Sequence, residues 1–133
     1  MPTTVVVTVP GLKLFNPLNG SKAHWAVQRR AVAAQKAAVK LALSQLGTAT
    51  RGELRAAPVV RVRLTRLGGK RMDSNGLCAA VKWCEDAVAE WLRPGLPAGR
   101  ADDEARGVRT EYPPGQEPGG PFGVRIELTT PGG

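Results

Sequence analysis

The sequence is poor in aromatic residues, cysteine and histidine. Only 5% of its 133 residues are aromatic, so small apolar side chains must fill most of any core. The two cysteines, Cys78 and Cys84, lie six positions apart on one predicted helix and face different sides, which argues against a disulfide between them. Because His24 is the only histidine, a zinc site built from Cys and His ligands is not expected either.

The sequence also lacks a long apolar run. No stretch approaches the roughly 20 apolar residues that a transmembrane helix needs. The opening "MPTTVVVTVPGLKLF" has no basic segment ahead of its apolar run, which ends at Pro10, so no secretory signal is predicted. We therefore expect a single cytoplasmic domain spanning residues 1–133, with a frayed tail at 131–133 and no contact with a membrane.

Acidic residues are nearly absent from the first half of the chain. Residues 1–72 contain 13 Lys and Arg but one acid, whereas residues 73–133 contain 6 Lys and Arg and 10 acids. Seven of the acids lie between Asp73 and Glu104. A basic half followed by a local acidic cluster is typical of a protein that binds polyphosphate together with a cation, although a generic basic surface is an equally simple explanation.

Hydrophobic periodicity predicts six secondary-structure elements. The β-branched "TTVVVTVP" and the alternating "VVRVRLTRL" are typical of strands, as are residues 107–112 and 122–130. Helical spacing of apolar residues predicts helices over 22–46 and 74–92. Residues 47–58 are expected to form a connector and residues 113–121 a mobile loop. The order β-α-β-α-β-β predicts an α+β fold, with two helices on one face of a small mixed sheet.

Basic side chains cluster on three surfaces of these elements. One side of the first helix is basic and carries no acid, one face of the second strand is basic opposite its apolar face, and a basic pair precedes the acidic segment. Such surfaces predict contacts with phosphate groups, which give affinity without sequence information. The predicted DNA-binding residues are Arg29, Lys36, Lys40, Arg61, Arg63, Lys70 and Arg71.

The second predicted helix has one narrow polar face. It carries Asn75, Lys82 and Asp86, and Asp73 lies just before the helix begins. Asp73 and Asp86 each have a simple explanation. Asp73 can be an N-terminal cap, and Asp86 can form an ordinary salt bridge with Lys82 four positions earlier. The alternative is that they belong to a metal-dependent active site.

The stretch "RMDSNGLCAAVKWCEDAVAEWL", with "DD" downstream, resembles the phage-encoded group of RusA-type Holliday junction resolvases, which are crossover junction endodeoxyribonucleases. That family carries Asp-x-Asp-Asn-Leu, then a lysine, an aspartate four residues later and an Asp-Asp pair after the helix. "NPLNGSKAHWAVQRRAVAAQK" is similar to the family's asparagine-containing loop and basic first helix. The resemblance covers nearly the whole chain.

The resemblance implies a homodimeric, Mg²⁺-dependent endonuclease that cuts four-way DNA junctions in phage recombination and DNA repair. It implies a phage or prophage protein in the cytoplasm of a bacterial host. The positions that match the family's motif are Asp73, Lys82, Asp86, Asp102 and Asp103.

Two positions depart from the motif. Asn75 stands where the family has its second aspartate, and Gly76 stands where it has asparagine. An amide oxygen can bind a metal but brings no charge, so the substitution should weaken Mg²⁺ binding. Two interpretations remain open: a divergent active resolvase, or a catalytically impaired protein that still binds branched DNA. Whether Asn75 is native or an introduced inactivating change is open as well.

Phosphodiester hydrolysis at Mg²⁺, or at Mn²⁺, needs mostly anionic oxygen ligands and a cation near the phosphate. The metal ligands implied are Asp73, Asp86, Asp102 and Asp103, and the catalytic residues are Asp73, Asn75, Lys82 and Asp103. Lys82 is expected to contact the scissile phosphate, and Asp86 to bind metal or only to orient Lys82. A further hypothesis is a basic RNA-binding module whose acids are only surface charge.

Overall fold

The computed structural model describes residues 2–14, 25–95 and 107–131. These residues form three helices and five strands, which confirms the predicted α+β class. The elements are β1 (Thr3–Pro10), α1 (Trp25–Ser44), α2 (Thr48–Ala56), β2 (Val60–Leu67), α3 (Ser74–Leu92), β3 (Val108–Thr110), β4 (Gly115–Glu117) and β5 (Gly123–Thr130).

The strands form one mixed sheet in the order β1-β5-β2-β3, with β4 also paired to β2. β5 runs antiparallel to both of its neighbours, β1 and β2. β3 runs parallel to the first half of β2, and β4 runs parallel to its second half. The alternating strand β2 therefore lies inside the sheet, with partners on both sides.

Two elements differ from the sequence prediction, so the observed order is β-α-α-β-α-β-β-β. Residues 47–58, expected to be a connector, contain the helix α2, in which only Leu54 is buried. One buried residue leaves almost no periodic signal. Residues 113–121, expected to be a mobile loop, contain β4, which is too short to be recognised without its partner strand. The predicted helix start at 22–24 and the tail residues 132–133 lie outside the described residues.

The core lies between the sheet and two helices. The inward positions of β2 (Val60, Val62, Leu64) and of β5 are almost completely buried, as are the apolar positions of α3. α1 packs against α3 and β1, and α3 packs against β2 and β3. These helices cover the apolar face of the sheet, which leaves the basic face of β2 on the other side. No helix among the described residues has the length and apolarity to cross a membrane.

Candidate functional site

The loop from β2 to α3 begins with a glycine pair. Gly68 and Gly69 have φ angles of +80° and +73°, a conformation that side chains with a Cβ rarely adopt. A Cβ at Gly68 would also lie 2.7 Å from the carbonyl oxygen of Pro121. The pair therefore turns the chain sharply at the end of β2 and directs it toward Asp73.

Two buried or half-buried side chains then hold the loop backbone. Arg66, which is buried, donates a hydrogen bond from Nη1 to the carbonyl oxygen of Lys70 at 2.8 Å. The side chain of Gln116 in β4 accepts from the Met72 N–H and donates to the Met72 carbonyl, both at 2.9 Å. The residue immediately before Asp73 is thus fixed by a two-sided amide contact.

Sequence reasoning missed Gln116. It lies 44 positions from Met72, in a segment rich in Pro and Gly that was expected to be a mobile loop. The contact exists only because β4 pairs with β2 and so lies beside the loop that leaves β2. Two polar residues, Gln116 and Glu117, between turn-forming residues give no periodic signal from which this role could be recognised.

Asp73 is the N-cap of α3, as its simpler interpretation predicted. Its Oδ1 accepts a hydrogen bond from the Gly76 N–H at 2.6 Å. Asp73 and Asn75 are both exposed. A carboxylate has about four lone-pair directions, so a cap that uses one of them leaves the group able to bind a cation. Capping and metal binding by Asp73 are therefore compatible.

Lys82 and Asp86 form an ion pair within α3. Lys82 Nζ donates to Asp86 Oδ1 at 2.9 Å, and the two side chains are 46% and 8% exposed, respectively. Asp86 is therefore almost buried, with a cation from its own helix beside it. This is the salt bridge that was the simpler of the two interpretations of Asp86.

The structure does not bring Asp73 and Asp86 together. Thirteen positions separate them along one continuous helix and its cap, which corresponds to about 20 Å of axial rise. A magnesium ion binds oxygen ligands at about 2.1 Å, far less than this span even with extended side chains. Asp86 therefore cannot share a metal ion with Asp73, contrary to the ligand set expected from the sequence.

The other two expected ligands, Asp102 and Asp103, lie outside the described residues. Within the described ranges, no group of three or more His, Cys, Asp or Glu side chains could hold a metal ion. The described part of the site offers one carboxylate, Asp73, and one amide oxygen, Asn75. These donors suit Mg²⁺, which prefers oxygen, keeps several waters and needs only one or two protein carboxylates.

Two of the predicted DNA-binding lysines have a partner inside the protein. Lys36 and Lys40 of α1 donate to the two carboxylate oxygens of Glu90 in α3, at 2.6 Å and 2.8 Å. Partial burial alone would raise the pKa of Glu90, but the hydrogen bonds and charges of the two lysines outweigh it and lower that pKa. The first helix indeed carries no acid, but α3 supplies one.

The remaining predicted basic residues are exposed, in three places. Arg29 lies near the start of α1. Arg61 and Arg63 point away from the core on β2, as the alternation predicted. Lys70 and Arg71 lie in the loop just before Asp73, so two cations flank the exposed carboxylate.

A second carboxylate of α3, that of Glu85, is buried, which the sequence pattern did not predict. Glu85 is 2% exposed, and its Oε1 accepts a hydrogen bond from the Tyr112 hydroxyl at 3.2 Å. Burial, together with the charge of Glu85, raises the pKa of the neighbouring Cys84 thiol to about 12. Cys84 is consequently a packing residue rather than a nucleophile.

No protein-family model matches the chain, and no curated protein or solved structure matches it either.

Proposed function

We propose that this protein is a metal-dependent endonuclease that cuts branched DNA, as its resemblance to RusA-type resolvases implies. The observation that carries the proposal is the loop at the start of α3. Its backbone is held by Arg66 and Gln116, and it presents the exposed carboxylate of Asp73 beside Lys70 and Arg71. A fixed carboxylate next to exposed cations suits a metal ion and the phosphate that the metal polarises.

In this proposal Asp73 is a metal ligand and Asn75 offers a neutral second oxygen. Asp102 and Asp103 would complete the ligand set, and a bound Mg²⁺ or Mn²⁺ would supply polarisation of the phosphate and activation of water. Lys70 and Arg71 bind the phosphate backbone near the cut. The enzyme acts as a homodimer on four-way junctions, because a two-fold assembly suits a substrate with paired cleavage positions.

In this proposal Lys82 contacts a phosphate other than the scissile one. Nine positions separate it from Asp73, which is about 13 Å along the helix. Its ammonium group also points to Asp86, on the side away from Asp73. Lys82 is therefore suited to a phosphate that flanks the cut rather than to the scissile phosphate.

A second candidate function is favoured by Asn75. With an amide in place of a carboxylate, the site has less negative charge to attract Mg²⁺. A protein of this kind would bind branched DNA without cutting it. This candidate needs the same basic surfaces and no metal.

The test is cleavage of a synthetic four-way junction with Mg²⁺ or Mn²⁺, by the unaltered protein and by Asn75→Asp and Asp103→Asn. Glu53→Gln, at an exposed position on α2, is the control for removal of one acid. Symmetric cuts that are lost in Asp103→Asn and kept in Glu53→Gln support the endonuclease. Binding without cuts, with cleavage gained in Asn75→Asp, supports the second candidate.

Absence of both binding and cleavage in every variant would reject the two candidates. The acids of α3 would then be ordinary caps and salt bridges, and a preference for RNA over junctions, independent of divalent metal, would identify an RNA-binding module.

A further inference from the structure

The face of the sheet that points away from α1 and α3 carries a row of arginines across three strands. Arg61 lies beside Arg109 of β3, Arg63 lies two positions further along β2, and Arg125 of β5 lies beside Thr65. We call the outward positions of these strands the open sheet face. Its members are Thr4, Val6, Thr8, Arg61, Arg63, Thr65, Arg109, Arg125, Glu127 and Thr129.

The charges on the open sheet face divide it into two ends. Arg125 forms ion pairs with Glu117 and Glu127, so the end near β4 has one arginine and two acids. At the other end, Arg61 and Arg63 are exposed, and no acid within the described ranges forms an ion pair with either of them. The positive charge of this face is therefore concentrated where β2 begins.

The same end also contains a shallow groove. It has a volume of about 350 Å³ and is lined by Arg61, Arg109 and Thr129, together with Pro2, Val59, Thr130 and Pro131. Neighbouring strands are about 4.8 Å apart, and alternate residues of a strand are about 6.7 Å apart. The backbone positions of Arg61, Arg63 and Arg109 therefore lie within one small patch. Guanidinium groups bind phosphate oxygens with two parallel hydrogen bonds, and threonine hydroxyls add further donors.

We propose that the open sheet face is a second DNA contact surface, which holds a duplex arm by its phosphates through Arg61, Arg63 and Arg109. This inference rests on the proposed function for the identity of the polyanion. Arg61 lies six positions before the end of β2, about 20 Å along the strand from the loop that leads to Asp73. An arm of about six base pairs, at 3.4 Å each, covers that distance.

A second copy of the chain is a poor occupant of this face. A two-fold interface would place the arginine-rich end of one copy against the same end of the other copy or against the end that contains Arg125. Like charges brought together without counter-ions are unfavourable, and Glu127 on this face and Glu117 beside it already pair with Arg125. The net charge of +8 likewise favours a polyanion over a neutral partner.

The test compares two double variants that each remove two positive charges. Arg61→Gln with Arg63→Gln alters the open sheet face, and Arg30→Gln with Arg51→Gln removes two arginines from α1 and α2. The dissociation constant for a labelled four-way junction is measured in EDTA over a series of salt concentrations.

Arg61→Gln with Arg63→Gln should weaken binding at least tenfold at low salt, and the slope of log K against log salt should decrease by about 1.8, or 0.9 for each lost phosphate contact. Arg30→Gln with Arg51→Gln should change the slope by less than half as much. Equal losses in the two double variants, no loss in either, or no junction binding by the unaltered protein would overturn the inference.

Because binding is measured in EDTA, without metal, its result does not depend on whether the protein cleaves DNA. Arginine-dependent binding by a protein that cuts nothing supports the surface and rejects the endonuclease. Cleavage that proceeds with unchanged affinity in Arg61→Gln with Arg63→Gln rejects the surface and leaves the endonuclease standing. Arginine-dependent binding to polyglutamate, with none to DNA, would show an acidic protein partner and overturn the inference.

Discussion

The acidic residues at the two ends of α3 differ in exposure and in their side-chain partners. At its start, Asp73 is exposed, uses one oxygen to cap the helix, and lies on a backbone held from both sides. In its second half, Glu85, Asp86 and Glu90 are each held by a partner side chain, from Tyr112, from Lys82, and from Lys36 and Lys40. The carboxylate at one end is accessible to a ligand, and those at the other end contact side chains of the protein itself.

This difference shows which acids can take part in chemistry. An exposed carboxylate on a fixed backbone can exchange its water for a cation with little rearrangement. A carboxylate that is buried and paired would first have to break its ion pair, which leaves an uncompensated charge behind. Spacing along the sequence does not distinguish the two cases, because the sequence predicted both Asp73 and Asp86 as ligands of one metal site.

The largest expected effect separates Asp73 from Asp86. Asp73→Asn should reduce junction cleavage at least 100-fold and leave the free energy of unfolding nearly unchanged, because asparagine caps a helix as well as aspartate does. Asp86→Asn should keep the cleavage rate within about fivefold but destabilise the fold by about 1–3 kcal/mol, since it breaks a buried ion pair. Initial cleavage rates and urea unfolding measure the two effects. The reverse pattern would mean that Asp86 is part of the active site.

The next effect concerns Gln116, which holds the loop before α3, rather than Asp73 itself. Gln116→Ala removes both hydrogen bonds to Met72, so Asp73 loses its fixed position. We expect kcat for the junction to decrease about tenfold or more, with a smaller change in KM, and a stability loss of about 1–2 kcal/mol. Gln45→Ala, at an exposed glutamine, is the matched control. A change in stability alone, with kcat preserved, would show that Gln116 only supports the fold.

The smallest effect tests the paired end of α3 through pH. The pKa of Glu90 is lowered below its ordinary value of 4.5 in the folded protein. The ion pairs of Glu90 therefore stabilise the fold fully at pH values above the ordinary pKa of 4.5. This contribution is lost as the pH falls through the lowered pKa. At pH 7, Glu90→Gln should be less stable by about 1 kcal/mol, and the difference should shrink toward pH 3. Urea unfolding at pH 3, 5 and 7 measures it, and a constant difference would contradict this account.

Strict periodicity predicted some elements accurately, and elements without it were missed. β2 and α3 were predicted within a residue of their bounds, because one alternates strictly and the other buries a broad apolar stripe. α2 was missed because it buries a single leucine, and β4 because three residues carry no period. The N-cap at Asp73 and the pair of Lys82 with Asp86 were both recognisable, since each involves residues three or four positions apart.

The sequence alone determined the α+β class, the apolar faces of β2 and α3, and the contacts between residues within one helical turn. Those features depend on local spacing, which the order of residues contains directly. Only the tertiary structure decided three long-range contacts. Gln116 hydrogen-bonds to Met72, and Glu90 forms ion pairs with Lys36 and Lys40. The arginines of β2 and β3 lie side by side on the open sheet face. Each of these joins residues more than 40 positions apart, and their meeting depends on strand order and helix packing rather than on any local period.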